Sequence, residues 1–124
     1  MWIHHDLTRT LIGAAIDVHR TLGPGLLESV YQACLEAELG ARGLAFRAQA
    51  PVPLRYRGVT IDCAFRLDLL VEDRLVVEIK AVETLLAVHE AQLLTYLRLA
   101  ECRLGLLINF NVPTLRDGII RRIL

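Results

Sequence analysis

A chain of 124 residues is long enough for one domain with a real core, and 54% hydrophobic residues exclude an intrinsically disordered segment. Lys plus Arg and Asp plus Glu balance at 14 each, which excludes a general polyanion binder; any contact with nucleic acid needs locally concentrated positive charge. No apolar run reaches the roughly 18 residues of a membrane span, MWIHHDLTRT has no signal-peptide core, and Cys34, Cys63 and Cys102 show no C-x-x-C spacing, which together predict reduced, mostly buried thiols in a cytoplasmic protein.

Asp6-Leu7-Thr8 opens a helical pattern with Leu7, Leu11, Ala15, Val18 and Leu22 on one face. Gly23-Pro24-Gly25 ends it, because Gly suits the position after a helix and Pro cannot continue one. His19, near that end, is expected to be a structural hydrogen-bonder or cap, and His4 and His5 to be exposed terminal residues without a role. A second helix is predicted from about Leu27 to Arg42, with Val30, Cys34 and Leu35 in its apolar stripe and Gly43 after it. The middle of the chain is rich in strands punctuated by Pro51, Pro53 and Gly58: AFRAQA, VPLRYR, VTIDCAFRLDLLV and RLVVEIKA. Arg55, Arg57 and Arg66 on these strands suit either a basic strip for a phosphate backbone or a plain solvated face. Helical spacing returns from about Thr84 to Glu101, with Leu86, Leu93, Leu97 and Ala100 buried and His89, Gln92 and Tyr96 on a polar stripe. RLGLLINF reads as a strand covered on both faces, and GIIRRIL as a short final strand. The order predicts an α/β fold, a mixed sheet flanked by helices, in a single domain over residues 1–124.

Lys80 is the only lysine among the 14 cationic residues. It lies in RLVVEIKA two positions after Glu78, so both share one strand face while Val77 and Ile79 take the other. The preceding strand carries Asp68, with Leu67, Leu69 and Val71 expected on the opposite side. A three-residue loop, Glu72-Asp73-Arg74, pairs Val71 with Leu75 and brings Asp68 opposite Glu78, with Cβ atoms roughly 4.5–5.5 Å apart. Carboxylates that close destabilise one another unless a proton or a cation lies between them. A divalent cation resolves the repulsion, and Mg²⁺ takes one or two carboxylates plus substrate phosphate. The bland reading is a half-exposed pair with Lys80 as its ion-pair partner. Against it, Arg is the better partner for a carboxylate pair, whereas Lys puts a compact charge on a flexible stem.

Asp68 followed by Glu78-Ile79-Lys80 after a short hairpin resembles the D…(D/E)-x-K signature of the PD-(D/E)XK nuclease superfamily. Gly25-Leu26-Leu27-Glu28-Ser29-Val30-Tyr31 is similar to the G-x-x-E-x-x-Y motif of its GxxExxY branch. TRTLIGAAIDVHRTLGPGLLESVY, HEAQLLTYLR and GLLINF extend the likeness over nearly the whole chain. NFN at Asn109–Asn111 departs from it, with Asn where that family would carry Gly; the departure touches a turn, away from the acidic cluster.

The resemblance implies a metal-dependent phosphodiesterase acting on nucleic acid, with DNA the expected substrate and Mg²⁺ or Mn²⁺ the cofactor. Asp68 and Glu78 would be the metal-binding carboxylates, and Glu28 would complete the acidic cluster. Lys80 would position the attacking water or offset charge on the phosphate, and Gln92 and Tyr96 match a Q-x-x-x-Y element that lies beside the site. A homodimer is expected, since a 13.9 kDa chain of mean hydropathy +0.43 has apolar surface to cover and related small nucleases pair. The competing expectation is a non-catalytic module that keeps the nuclease fold and binds nucleic acid or protein.

Overall fold

The computed structural model describes residues 5–124; residues 1–4, His4 among them, lie outside the described residues. Helix α1 (His5–Leu22) buries Leu7, Leu11, Ala14, Ala15 and Val18, the stripe its spacing dictates, while Leu22 is half-buried and His5 exposed. It stops at Gly23, whose left-handed φ of 72° lets its N–H reach His19 O at 2.8 Å. His19 is buried and its Nε2 bonds Val112 O at 2.7 Å, a structural role.

Helix α2 (Glu28–Ala41) buries Tyr31, Leu35 and Leu39 in place of the expected Val30–Cys34–Leu35 stripe. Val30 is exposed and Cys34 half-buried. The phase is set by Tyr31, whose ring stacks on Phe110 at 4.6 Å and removes more apolar surface than Val30 could. Its hydroxyl donates to Gly23 O at 2.5 Å and accepts from Leu26 N at 3.1 Å, tying down the loop between the helices.

Strands β1 (Phe46–Tyr56), β2 (Val59–Val71), β3 (Leu75–Lys80), β4 (Leu104–Asn109) and β5 (Ile119–Ile123) form one sheet in that order. β3 and β4 are parallel and the other neighbours antiparallel. The two expected strands AFRAQA and VPLRYR are one: β1 runs through Pro51 and Pro53. It is an edge strand, so the missing proline N–H groups can face outward. α1 and α2 cover one sheet face, against Leu69, Val71, Val77, Ile79, Leu106 and Ile108. Helix α3 (Ala87–Leu99), the crossover between β3 and β4, covers the other through Leu93 and Leu97. It sits close to the sheet because β4 carries Gly105, where a Cβ would come within 2.9 Å of Leu93 Cδ1. Fully burying a leucine stabilises by about 1.5–3 kcal/mol.

Helix α3 is shorter than its spacing predicts. Leu86 caps it in an extended conformation, its N–H donating to His89 Nδ1 at 2.9 Å, and is therefore 55% exposed rather than buried. Ala100 is half-buried, just past the helix end. Cysteine burial also differs from expectation: Cys63 is exposed and Cys34 and Cys102 are half-buried. Cys63 lies on the outer half of β2, which is exposed, whereas the inner half is buried.

One feature of the β1–β2 ribbon positions the site. Phe46 packs on the α1–α2 side, yet Ala50 and Val52, of the same parity, pack on the α3 side. On β2, Leu69 and Val71 face α1 and α2 while Leu67 joins the α3 side, against the expectation that all three would lie together. The ribbon therefore turns over between Ala48↔Leu69 and Ala50↔Leu67, at Gln49 and Asp68. Gln49 makes the turn with a φ of 49°, rare for a residue with a side chain.

Candidate active site

β2 and β3 are joined by Glu72-Asp73-Arg74, with Arg74 N donating to Val71 O at 3.0 Å and Glu72 and Asp73 at φ 53° and 54°. This fixes the register Val71↔Leu75, Leu70↔Val76, Leu69↔Val77. The next pair in that register is Asp68 with Glu78, and there the ladder opens. Asp68 N–H donates to Glu78 Oε2 at 2.9 Å, and Ile79 N–H donates to Asp68 Oδ2 at 2.8 Å. Each carboxylate takes an amide of the opposite strand that a carbonyl would otherwise satisfy, and the strands part into a fork.

Glu78 is 4% exposed. Burial first, then the negative charge of Asp68, pushes its carboxyl from 4.5 up to about 8. The Asp68 N–H and the Lys80 charge pull the other way, and Glu28 adds a weaker upward push. Lys80 follows on the same strand face, half-buried, and makes no ion pair within 4.0 Å among the described residues. Glu28 is exposed at the first position of α2. Among the described residues no three His, Cys, Asp or Glu side chains gather as a metal-binding group.

On the α3 side, Tyr96 stacks on Phe65 with ring centroids 4.2 Å apart. Its hydroxyl is held above the usual phenol range by burial, then by the charges of Glu78 and Asp68, so it lies within their field. Gln92, one turn earlier, is half-buried on the same stripe. The three arginines expected as a strip, Arg55, Arg57 and Arg66, are all exposed, and Arg66 donates to Gln49 O at 3.2 Å.

Three residues near the fork were not anticipated. Gln49 Nε2 donates to Gln32 Oε1 at 3.0 Å and to Asp68 Oδ1 at 3.4 Å, and Gln32 Nε2 donates to Asp68 O at 3.0 Å. The available signal for Gln32 was its place four residues after Glu28, on the same helix face. The third is Asn109, the register partner of Lys80, so NFN lies beside the site strand and not away from it. Its amide donates to Val82 O at 2.9 Å and accepts from Val82 N at 3.0 Å, fixing the chain just beyond Lys80. Asn111 keeps a negative φ, so that bend has no need of glycine.

The donor set suits a hard divalent cation. Glu78 Oε1 accepts no hydrogen bond among the described residues, and Asp68 Oδ1 holds only the long one from Gln49. Two carboxylate oxygens, with water and phosphate to complete the shell, match what Mg²⁺ accepts, and such a charge would offset the burial of Glu78.

No curated protein and no solved structure matches the chain. A family model described as the PD-(D/E)XK nuclease superfamily matches residues 5–123. With the mixed sheet and its flanking helices, that match shows that the chain belongs to the PD-(D/E)XK nuclease superfamily.

Proposed function

We propose that this protein is a metal-dependent nuclease of the GxxExxY branch that hydrolyses phosphodiester bonds, with DNA its main substrate. The observation that carries the reading is the fork: a buried Glu78 opposite Asp68, with Lys80 on the same face. Asp68 and Glu78 hold Mg²⁺ or Mn²⁺, and Glu28 adds negative charge from α2. A bound cation supplies two things, an acidified water and Lewis-acid polarisation of a phosphoryl oxygen. Lys80 orients the attacking water or offsets charge building on the phosphate, its ammonium small enough to sit beside either. Tyr96 and Gln92 present polar groups from α3 to the substrate. A non-catalytic module would gain nothing from facing two carboxylates in a buried fork, since the pair destabilises an empty site.

The domain acts as a homodimer in the cytoplasm on this reading. Exposed Tyr56, Val59 and Ile61 at the β1–β2 tip offer apolar surface for pairing, and the free cysteines suit a reducing compartment. Light scattering that gives a 13.9 kDa mass at micromolar concentration would remove the dimer. The central test is a panel of single-stranded, duplex and branched DNA and of RNA, with Mg²⁺ or Mn²⁺, run beside Lys80→Ala. Cleavage that needs the cation and disappears in Lys80→Ala is expected. Cation binding without cleavage of any substrate would make the chain a binding module.

A further inference from the structure

We infer that Gln49 and Gln32 are positioning residues that hold the Asp68 carboxylate in its cation-binding orientation, an inference that rests on the cation site proposed above. Asp68 stands where the β1–β2 ribbon turns over, a point at which regular strand geometry cannot fix its direction. Two amides fix it instead. Gln32, on α2, anchors the Asp68 backbone through its carbonyl oxygen. Gln49, directly across β1, bonds Gln32 with one amide hydrogen and Asp68 Oδ1 with the other. With Asp68 Oδ2 taken by Ile79 N–H, both carboxylate oxygens are constrained, and the carboxyl plane is set.

The backbone at Gln49 strengthens the case. A φ of 49° is the left-handed region, where glycine sits without strain and a long side chain does not. Stability alone favours Gly at that position. Of the described non-glycine residues at positive φ, Gln49 alone lies inside a strand, and its side chain reaches Asp68.

Three single variants separate positioning from mere support. Gln49→Gly relieves the backbone and deletes the amide; Gln49→Asn keeps an amide one carbon too short; Gln32→Leu keeps helix propensity and size. Each variant is melted in EDTA and titrated with Mn²⁺ by calorimetry, and cleavage is followed on the best substrate of the panel. Gln49→Gly should melt at or above the wild type yet bind Mn²⁺ about three- to tenfold more weakly, the range set by one long and therefore weak hydrogen bond. Gln49→Asn should share the weaker binding. Its kcat should fall while KM for substrate stays near the wild-type value. Gln32→Leu should show the same binding loss, and the double variant Gln49→Gly/Gln32→Leu no more than the worse single one, because the two amides are bonded to each other and act on one residue, Asp68. Mn²⁺ affinities equal to wild type, or losses that only track the melting temperature, would overturn the inference. A wild type that binds no Mn²⁺ would overturn the cation site itself, and this inference with it.

Discussion

Replacing Glu78 by Gln removes the only buried carboxylate among the described residues and keeps an oxygen to accept the Asp68 N–H. Glu78 is raised from 4.5 to about 8, chiefly by burial and by Asp68. Between those values the native protein holds a proton that the unfolded chain has released. Stability without cation therefore falls as pH rises from about 4.5, and the loss is complete above about 8. The full span corresponds to on the order of 4–5 kcal/mol. Relaxation and water entry at the open fork reduce what a substitution recovers to on the order of 2 kcal/mol, or about 6–10 °C for a domain of this size.

The assay is thermal melting in EDTA from pH 5 to 9, repeated with saturating Mn²⁺. Near pH 5 wild type and Glu78→Gln should melt within a few degrees of each other. At pH 8.5 in EDTA the Gln variant should melt about 6–10 °C higher. Mn²⁺ should close that gap by stabilising the wild type, most strongly at high pH where the carboxylate is free of its proton, and should leave the variant unmoved. Parallel pH profiles in EDTA, or equal Mn²⁺ stabilisation of both proteins, would refute the reasoning.

Other substitutions separate chemistry from scaffold. Lys80→Arg keeps the charge but displaces it, and cleavage should slow by about 10²-fold with Mn²⁺ affinity retained; near wild-type cleavage would return Lys80 to an ion-pairing role. Gly118→Ala places a Cβ against Asn109 O and should destabilise by about 1–3 kcal/mol in urea titration, with slower cleavage because Asn109 is the strand partner of Lys80. Tyr31→Phe loses the bonds to Gly23 O and Leu26 N, lowering stability by about 1 kcal/mol with Mn²⁺ affinity unchanged, as calorimetry would read.

The central hairpin was legible because two local rules suffice for it. The length of the Glu72-Asp73-Arg74 loop and strand parity fix Val71↔Leu75, and everything inward as far as Leu69↔Val77 follows. Element order was legible for a similar reason, as Gly23, Gly43 and the apolar runs mark boundaries without reference to partners. The prolines misled because their meaning depends on whether a strand is central or at an edge. Sheet order decides that, and no feature of β1 alone reveals it.

Helix phase and strand face failed where a distant residue decides. Tyr31 turns inward because Phe110, far along the chain, offers it a stacking surface. Leu67 changed sides because Gln49, on another strand, takes a left-handed backbone opposite Asp68. Period counting assumes a uniform element, and the ribbon is least uniform where the acidic residue sits. A motif such as D…E-x-K therefore exposes the carboxylates, whose spacing lies along one hairpin, and conceals what aims them. Gln32, Gln49 and Asn109 come from α2, β1 and β4, and they converge only after those elements have packed. Around a charged pair in a fork, the supporting residues must come from elsewhere, because the hairpin's own backbone amides are already spent on Asp68 and Glu78.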